Sequence, residues 1–244
     1  MKQLIQARRA AQPEGLSPFA YARPYDRLRR LVDIVASLLG LVLLAPLMLA
    51  IAVAIKLDSH GPVFFRQQRV GRNRRLQQTS MRLLPNVFRL DLRRDHQSFG
   101  RIFEMVKFRT MRVDAEAQTG PIWSTEHDPR VTRVGRVLRR TRLDELPQLW
   151  NVLRGEMSLV GPRPERPEFV RMFVQTIDGY AERHWITPGI TGLSQVRQGY
   201  DRCLDDVRRK LGHDLEYIQR RSLWLDLQIC WRTVAVMLVG RGSC

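Results

Sequence analysis

The longest unbroken hydrophobic stretch of the chain runs from Ile34 to Ile55, IVASLLGLVLLAPLMLAIAVAI, and carries no charged side chain. A surface helix keeps a polar face, whereas a helix apolar all round belongs inside a large core or a bilayer. The run matches the roughly 20 residues a helix needs to cross a hydrocarbon layer. The pattern therefore predicts a membrane helix over about residues 31–57, with a buried core helix of a soluble protein as the open alternative. Pro46 stands in the middle of the run, where it removes a backbone hydrogen bond and clashes with the preceding turn. Arg23, Arg27, Arg29 and Arg30 precede the run, and Lys56, Arg66, Arg69, Arg72, Arg74 and Arg75 follow it. Basic flanks favour the cytoplasmic side, so a straight span would leave one cluster on the disfavoured side. A re-entrant helix broken at Pro46, entering and leaving by the cytoplasmic leaflet, satisfies both clusters and is the expected arrangement.

Residues 1–26 read as a polar leader punctuated by Pro13, Gly15 and Pro24. It is not expected to be a signal peptide, because the first apolar run comes late and lacks a cleavage pattern. After the membrane run, Gly61-Pro62 starts a turn and Val63-Phe64-Phe65 reads as a short strand. Phe103 to Met111 reads as a second strand, and the two are expected to pair as a small β-hairpin. Residues 74–99 between them are polar, Arg-rich and irregular. From Thr132 onward apolar residues recur at helical spacing: Val134, Val137, Leu138, Leu143, Leu146, Leu149, Trp150 and Leu153. Gly161-Pro162-Arg163-Pro164 breaks helix. Further helices are expected over Glu165 to Ile177 and Asp205 to Arg220, with a loop at Pro188-Gly189 and Gly192 between them. The apolar tail from Leu223 to Val239 carries Asp226 and Arg232, which suits an amphipathic helix on a membrane or a core better than a second span. The expected class is α+β, mostly helical: one domain over residues 27–244 that includes the membrane helix, its cytoplasmic part bearing interfacial amphipathic helices.

Composition sharpens this picture in one respect. Hydrophobic residues make up 44% of 244 residues, enough for a packed core, and the formal charge is +17. Such a charge points to an anionic partner: nucleic acid, an acidic membrane surface or a phosphate-rich substrate. The basic residues are nearly all Arg, since only Lys2, Lys56, Lys107 and Lys210 are Lys. Arg holds phosphate oxygens in bidentate fashion, although codon usage in a GC-rich genome accounts equally well for the Arg/Lys ratio. Cys203, Cys230 and Cys244 are widely spaced and odd in number, which supports neither zinc nor a disulfide framework.

Several stretches resemble one family. Arg30-Leu31-Val32-Asp33 leads into the Pro-broken apolar run, followed by GPVFFRQ (Gly61 to Gln67) and RVG (Arg69 to Gly71). KFRTM (Lys107 to Met111) comes next, then RVTRVGRVLRRTRLDELPQLWNVLRGEMSLVGPRPERPEF (Arg130 to Phe169), PGITGLSQV (Pro188 to Val196) and SLWLDLQI (Ser222 to Ile229). In this order they resemble the bacterial sugar transferases, monotopic phosphoglycosyl transferases that make the first lipid-linked intermediate of exopolysaccharides and O-antigens. The resemblance covers most of residues 27–243. Two departures stand out. Ala45 occupies the place where the family often has Ser before the membrane Pro, and residues 74–99 look like an insertion, because joining Asn73 to Gly100 restores the family's usual text. Longer members of the family carry several N-terminal membrane helices and a further domain, and neither is expected in these 244 residues.

The resemblance implies transfer of a sugar 1-phosphate from a nucleotide diphospho-sugar, UDP-linked as a rule, to polyprenyl phosphate, releasing a nucleoside monophosphate. It implies Mg²⁺ and no organic cofactor, and a place at the bacterial inner membrane among lipids, with the site on the cytoplasmic face. Two anionic substrates must meet, which calls for cations, a metal ion and a nucleophile. Asp144 and Glu145 are the candidate carboxylates. By the family's pattern Asp144 attacks phosphorus to form a covalent phosphosugar intermediate, and Glu145 supports metal and substrate binding, both being candidate metal ligands. From the residues alone, a helix cap by Thr141 or Asp144 plus a solvated Glu145 is the better explanation of the pair. Lys107 and Arg109 alternate onto one strand face, and with Arg139 they are candidate phosphate ligands or ordinary surface charges. Arg163, held between Pro162 and Pro164, is a fourth candidate phosphate ligand and the most directed of the cations, since both prolines restrict its backbone, with a rigid loop that binds no ligand as the alternative. Gly189 and Gly192 allow either close approach to substrate or an ordinary turn. Two other readings stand beside the enzyme: a membrane-tethered basic protein that binds nucleic acid, against which no nucleic-acid motif is visible, and an inactive scaffold of the same fold.

Overall fold

The computed structural model describes residues 25–73, 99–113, 115, 128–198 and 203–239. Most of the polar leader and nearly all of the 74–99 segment lie outside the described residues. The hydrophobic run folds as two helices, α1 (Tyr25–Leu43) and α2 (Ala45–Asp58), bent by 59° at their junction. Pro46 lies in the first turn of α2, where a missing N–H removes no intrahelical bond. The break thus falls at Leu44, just ahead of the proline, and the helical pair begins earlier than the apolar run does. No single helix among the described residues is long and apolar enough to cross a membrane, but the bent pair together meets that length and composition.

α1 is inverted relative to an ordinary surface helix. Arg29, Asp33 and Ser37, four residues apart, form its buried stripe, while Leu31, Val35, Leu38, Val42 and Leu43 are exposed. The polar stripe makes specific bonds. Arg29 donates to the Val160 carbonyl and pairs with Asp226 at 3.5 Å. Arg30 donates to the carbonyls of Val152 and Leu153 at 2.6 and 2.7 Å, and Asp33 accepts from the Leu159 N–H at 3.0 Å. Buried charge is tolerated only where it is paired and hydrogen-bonded, and these contacts meet that condition while leaving the apolar face of α1 outward.

The expected hairpin is present: β1 (Phe64–Val70) pairs antiparallel with β2 (Ile102–Phe108), in register from Phe64 opposite Phe108 to Val70 opposite Ile102. Beyond the strands, Gly71 N–H still bonds the Arg101 carbonyl at 2.8 Å, so the chain leaves and re-enters the described structure at neighbouring points. Phe103, Met105 and Lys107 share one face of β2, and the first two pack with Val152 and Met157. Alternation therefore directs Lys107 inward as well.

The rest is helical with one small addition. α3 (Arg133–Arg140) is followed by a 3-10 turn (Leu143–Glu145) and α4 (Gln148–Leu153). β3 (Ser158–Val160) then precedes α5 (Pro167–Thr176) and a second 3-10 segment (Tyr180–Trp185). β4 (Gly189–Thr191) leads into α6 (Leu193–Arg197), α7 (Leu204–Arg220) and α8 (Leu223–Val239). β3 and β4 pair in parallel, Ser158 opposite Gly189 and Val160 opposite Thr191, a ladder too short for the alternation of the sequence to reveal. Gly189 belongs to this ladder and not to a substrate surface, since a Cβ there would stand 2.1 Å from the Gly161 nitrogen, and one at Gly192 would stand 2.2 Å from the Gly161 oxygen. On α8, Asp226 and Ile229 are buried while Trp224, Leu227, Trp231 and Val234 are exposed, so the helix packs by a face that includes its acid and turns apolar residues outward.

Candidate active site

The Asp-Glu pair sits where the chain reverses between two short helices. The Thr132 hydroxyl caps α3 by accepting from the Gly135 N–H, so the cap lies ahead of α3 and neither Thr141 nor Asp144 caps α4. Thr141 closes α3 at its other end, its hydroxyl donating back to the Val137 carbonyl at 2.8 Å. The turn itself is made by Arg142, which has φ 58° and ψ 12°. A left-handed conformation costs a residue other than glycine roughly 1–2 kcal/mol, and here it folds Leu143–Glu145 back as a 3-10 turn. Asp144 and Glu145 end up 7% and 8% exposed, not solvated.

Opposite them stands the loop Gly161–Glu165, tied down along its whole length. The Gly161 N–H donates to the Thr191 carbonyl at 2.8 Å, and the Pro162 carbonyl accepts from Gly189 at 3.0 Å. The Arg163 carbonyl accepts from the Arg183 guanidinium at 2.8 Å, that of Pro164 from Arg69 at 3.0 Å, and that of Glu165 from the Val70 N–H at 3.0 Å. From this fixed backbone the Arg163 guanidinium reaches both oxygens of Glu145, at 2.7 and 3.1 Å. This is the bidentate geometry in which Arg and carboxylate match best. Arg142 adds a longer contact to Glu145 at 3.4 Å.

The two neighbouring carboxylates are consequently driven apart. Burial and the adjacent Glu145 charge push Asp144 up to about 6, against the opposing pull of Lys107. Burial also acts on Glu145, but the charge and hydrogen bonds of Arg163 outweigh it and hold Glu145 down at about 2. Burial pulls Lys107 down to about 8, with Asp144 the main opposing influence, and its ammonium lies 5.3 Å from the centre of the Phe65 ring. One carboxylate is thus locked as an anion, and its neighbour is poised near neutrality beside a cation that can still release its proton. Pairs of groups separated in this way mark functional sites and divide roles between them.

The other expected cations divide. Arg139 donates through Nε to the Thr110 hydroxyl at 2.9 Å and acts electrostatically on both Asp144 and Lys107. Arg109, placed by alternation on the face of Lys107, instead lies just past the end of β2. Its guanidinium donates to the carbonyls of Ser59 and His60 at 2.7 and 2.6 Å and to the Ser59 hydroxyl at 2.9 Å. The structure uses it to hold the end of α2 against the hairpin, and it does not join the carboxylate pair. Arg69, Arg142 and Arg183, which support the site, carry no mark in the sequence that separates them from the many other arginines.

A divalent ion finds one suitable ligand here. Among the described residues, no three His, Cys, Asp or Glu side chains converge as a ready-made metal cage. Mg²⁺ is commonly held by one or two carboxylates together with substrate phosphates, and Asp144 beside a bound diphosphate fits that donor set. Glu145, taken at both oxygens by Arg163, fits a guanidinium.

The Bacterial sugar transferase family model matches residues 24–82 and 86–240. A UDP-N-acetylgalactosamine-undecaprenyl-phosphate N-acetylgalactosaminephosphotransferase of Aeromonas hydrophila is 43% identical over 219 residues, which cover 90% of this chain and 45% of the relative. A UDP-glucose:undecaprenyl-phosphate glucose-1-phosphate transferase of Xanthomonas campestris pv. campestris is 41% identical, covering 88% of this chain and 39% of the relative. The exopolysaccharide production protein PSS of Rhizobium leguminosarum bv. phaseoli is 37% identical, covering 88% of this chain and 98% of the relative. The chain spans less than half the length of the first two.

Proposed function

The chain belongs to the bacterial sugar transferase family, and from that premise we propose that it transfers a sugar 1-phosphate from a UDP-sugar to undecaprenyl phosphate, at the start of exopolysaccharide or related glycan synthesis. The observation that carries this reading is the split carboxylate pair: Glu145 is locked by Arg163, and Asp144 is buried, raised and adjacent to Lys107. A reaction between two phosphate esters needs an anionic nucleophile inside a ring of cations. In the proposed sequence an Asp144 carboxylate oxygen attacks the phosphorus that bears the sugar. The phosphoanhydride bond breaks, and nucleoside monophosphate leaves with the bonding electron pair. A phosphate oxygen of the lipid then attacks the same phosphorus and expels the Asp144 carboxylate, which regenerates the enzyme. Lys107 and Arg139 balance the charge that builds on the transferring group, while Glu145 and Arg163 keep the wall of the site fixed. Mg²⁺, held by Asp144 and the diphosphate, would supply further charge neutralisation.

The bent α1–α2 pair, with apolar residues outward and basic residues at both ends, suits a re-entrant hairpin in the inner membrane with the site on the cytoplasmic face. In a background lacking native cysteines, probes at Ala20→Cys and His60→Cys are expected to label from the same, cytoplasmic, side. Labelling from opposite sides would establish a full span instead. The nucleic-acid reading has no motif in the sequence behind it, and Arg29, Arg30, Arg109 and Arg183 are committed to carbonyls and carboxylates inside the fold.

The test of function is to supply detergent-extracted enzyme and polyprenyl phosphate with a panel of UDP-sugars labelled in the sugar, and to follow label into the lipid phase. Label from none of them would refute the reading. The pH dependence of kcat/KM is a second expectation. Asp144 must be ionised to attack, so activity should fall as pH drops through about 6. Lys107 must keep its proton to neutralise phosphate, so activity should also fall as pH rises through about 8. Lys107→Arg should retain the acid limb and carry the alkaline limb beyond the measurable range, because Arg does not lose its proton there. An alkaline limb that stays in place in this variant would show that another group causes it.

A further inference from the structure

The ion pair of Arg183 with Asp214 lies behind the Gly161–Glu165 loop, its side chains 2% and 1% exposed. Arg183 Nε and Nη2 reach Asp214 Oδ2 at 2.9 and 2.7 Å, and Nη1 donates to the Tyr180 hydroxyl at 2.8 Å. Ser194 Oγ donates to the other Asp214 oxygen at 2.9 Å. Nη2 also bonds outside this group, to the Arg163 carbonyl at 2.8 Å. Burying such a pair gives little net stability, because desolvation offsets most of the attraction. Its stability contribution therefore leaves the arrangement unexplained. Its direction is informative. Pro162 and Pro164 already restrict the Arg163 backbone, and a donor on the Arg163 carbonyl sets the peptide rotation that remains.

We propose that Arg183, held by Asp214, Tyr180 and Ser194, is a positioning residue that aims Arg163 at Glu145 through the Arg163 carbonyl. The proposal rests on the phosphotransfer reading above. Only an arginine meets this geometry, since its planar fork serves Asp214, Tyr180 and the carbonyl together, while a lysine ammonium is a point donor on a flexible stem. Arg183→Lys keeps the charge beside Asp214 but cannot span all three partners.

The test is a double-mutant cycle on the full chain, read by single-turnover transfer of label, which remains usable for weak variants. Arg183→Lys is expected to lower the rate 10- to 100-fold when Arg163 is present, and less than about twofold when Arg163 is already Ala, because the group being aimed is gone. The thermal midpoint should drop by the same amount in both backgrounds. Ser194→Ala, a milder change that removes one bond from Asp214, should show a smaller loss with the same dependence on Arg163. It carries the test if Arg183→Lys does not fold. Equal fold-losses in the two backgrounds would assign the network to stability alone and overturn the proposal, as would a folded Arg183→Lys with wild-type rates. Absence of transfer by the wild-type protein with every UDP-sugar would instead remove the phosphotransfer reading and the proposal with it, so the two failures are distinguishable.

Discussion

Asp144→Asn is expected to abolish transfer while leaving the protein folded and membrane-bound. The amide matches the carboxylate in shape but lacks its charge, and removal of a nucleophile costs at least about 10³-fold in turnover in enzymes that work through a covalent intermediate. Folding should tolerate the change. Asp144 is buried beside an ionised Glu145 and is already pushed up to about 6, so its charge is a burden on the native state and a neutral isostere relieves it. Two measurements check this. With donor labelled in the sugar and no lipid acceptor, wild-type protein should acquire label and release one nucleoside monophosphate per site, and Asp144→Asn should do neither. Steady-state kinetics should be ping-pong, with the monophosphate leaving before the lipid reacts. Substantial turnover by Asp144→Asn would reassign the residue to metal or substrate binding and make the transfer direct.

The second large effect belongs to Arg163. Arg163→Ala removes both short bonds to Glu145 and leaves an inward carboxylate with the longer contact from Arg142 and the charge of Lys107. Breaking a buried pair on one side is far costlier than never having built it, at about 3–5 kcal/mol for fully enclosed cases. The Arg163 side chain is 29% exposed, which places it toward the lower end. Glu145 is expected to rise from its depressed value and take up a proton more readily, and turnover is expected to fall by about 10²-fold or more, the scale of a lost bidentate contact in a catalytic site. Arg163→Lys should recover little, because an ammonium cannot face both oxygens at once. The readouts are single-turnover rate and thermal midpoint measured together. A variant that loses stability but keeps more than a third of its rate would show that the clamp is architectural and has no bearing on transfer.

The chain itself disclosed a good deal, and for a common reason. The apolar run with its mid-run proline, the hairpin strands, the helices at α5, α7 and α8, and the Asp144-Glu145 pair all rest on residues close together in sequence, where periodicity and turn chemistry act. The bounds of α5, α7 and α8 fall within about two residues of the pattern, whereas β1 runs on to Val70, β2 stops at Phe108, and α1 starts well ahead of the apolar run. There the helix extends back to Tyr25, with Arg29 and Arg30 donating to carbonyls of β3 and α4 and Asp33 accepting from the Leu159 N–H. The short β3–β4 ladder went unseen because three-residue strands offer no alternation to read. Gly189 and Gly192 gave an ambiguous signal, and only the approach of Gly161 shows that backbone, not ligand, demands them.

What the sequence determines by itself is therefore which chemistry is present: a carboxylate pair, an excess of arginine and an uncharged apolar run. Which arginine does what was decided by tertiary structure alone. Arg109 and Lys107 share a strand-like spacing, yet one secures the end of α2 and the other faces Asp144. Arg163 reaches Glu145 across 18 residues, and Arg183 reaches Asp214 across 31. Guanidinium groups are alike in sequence and long in reach, so the partner of each is set by which carboxylate or carbonyl folding brings near it. Burial then decides the charge. Adjacent Asp144 and Glu145 begin with similar acidity; burial and the Glu145 charge raise the first, while Arg163, with smaller help from Arg142 and Lys107, holds the second down against burial.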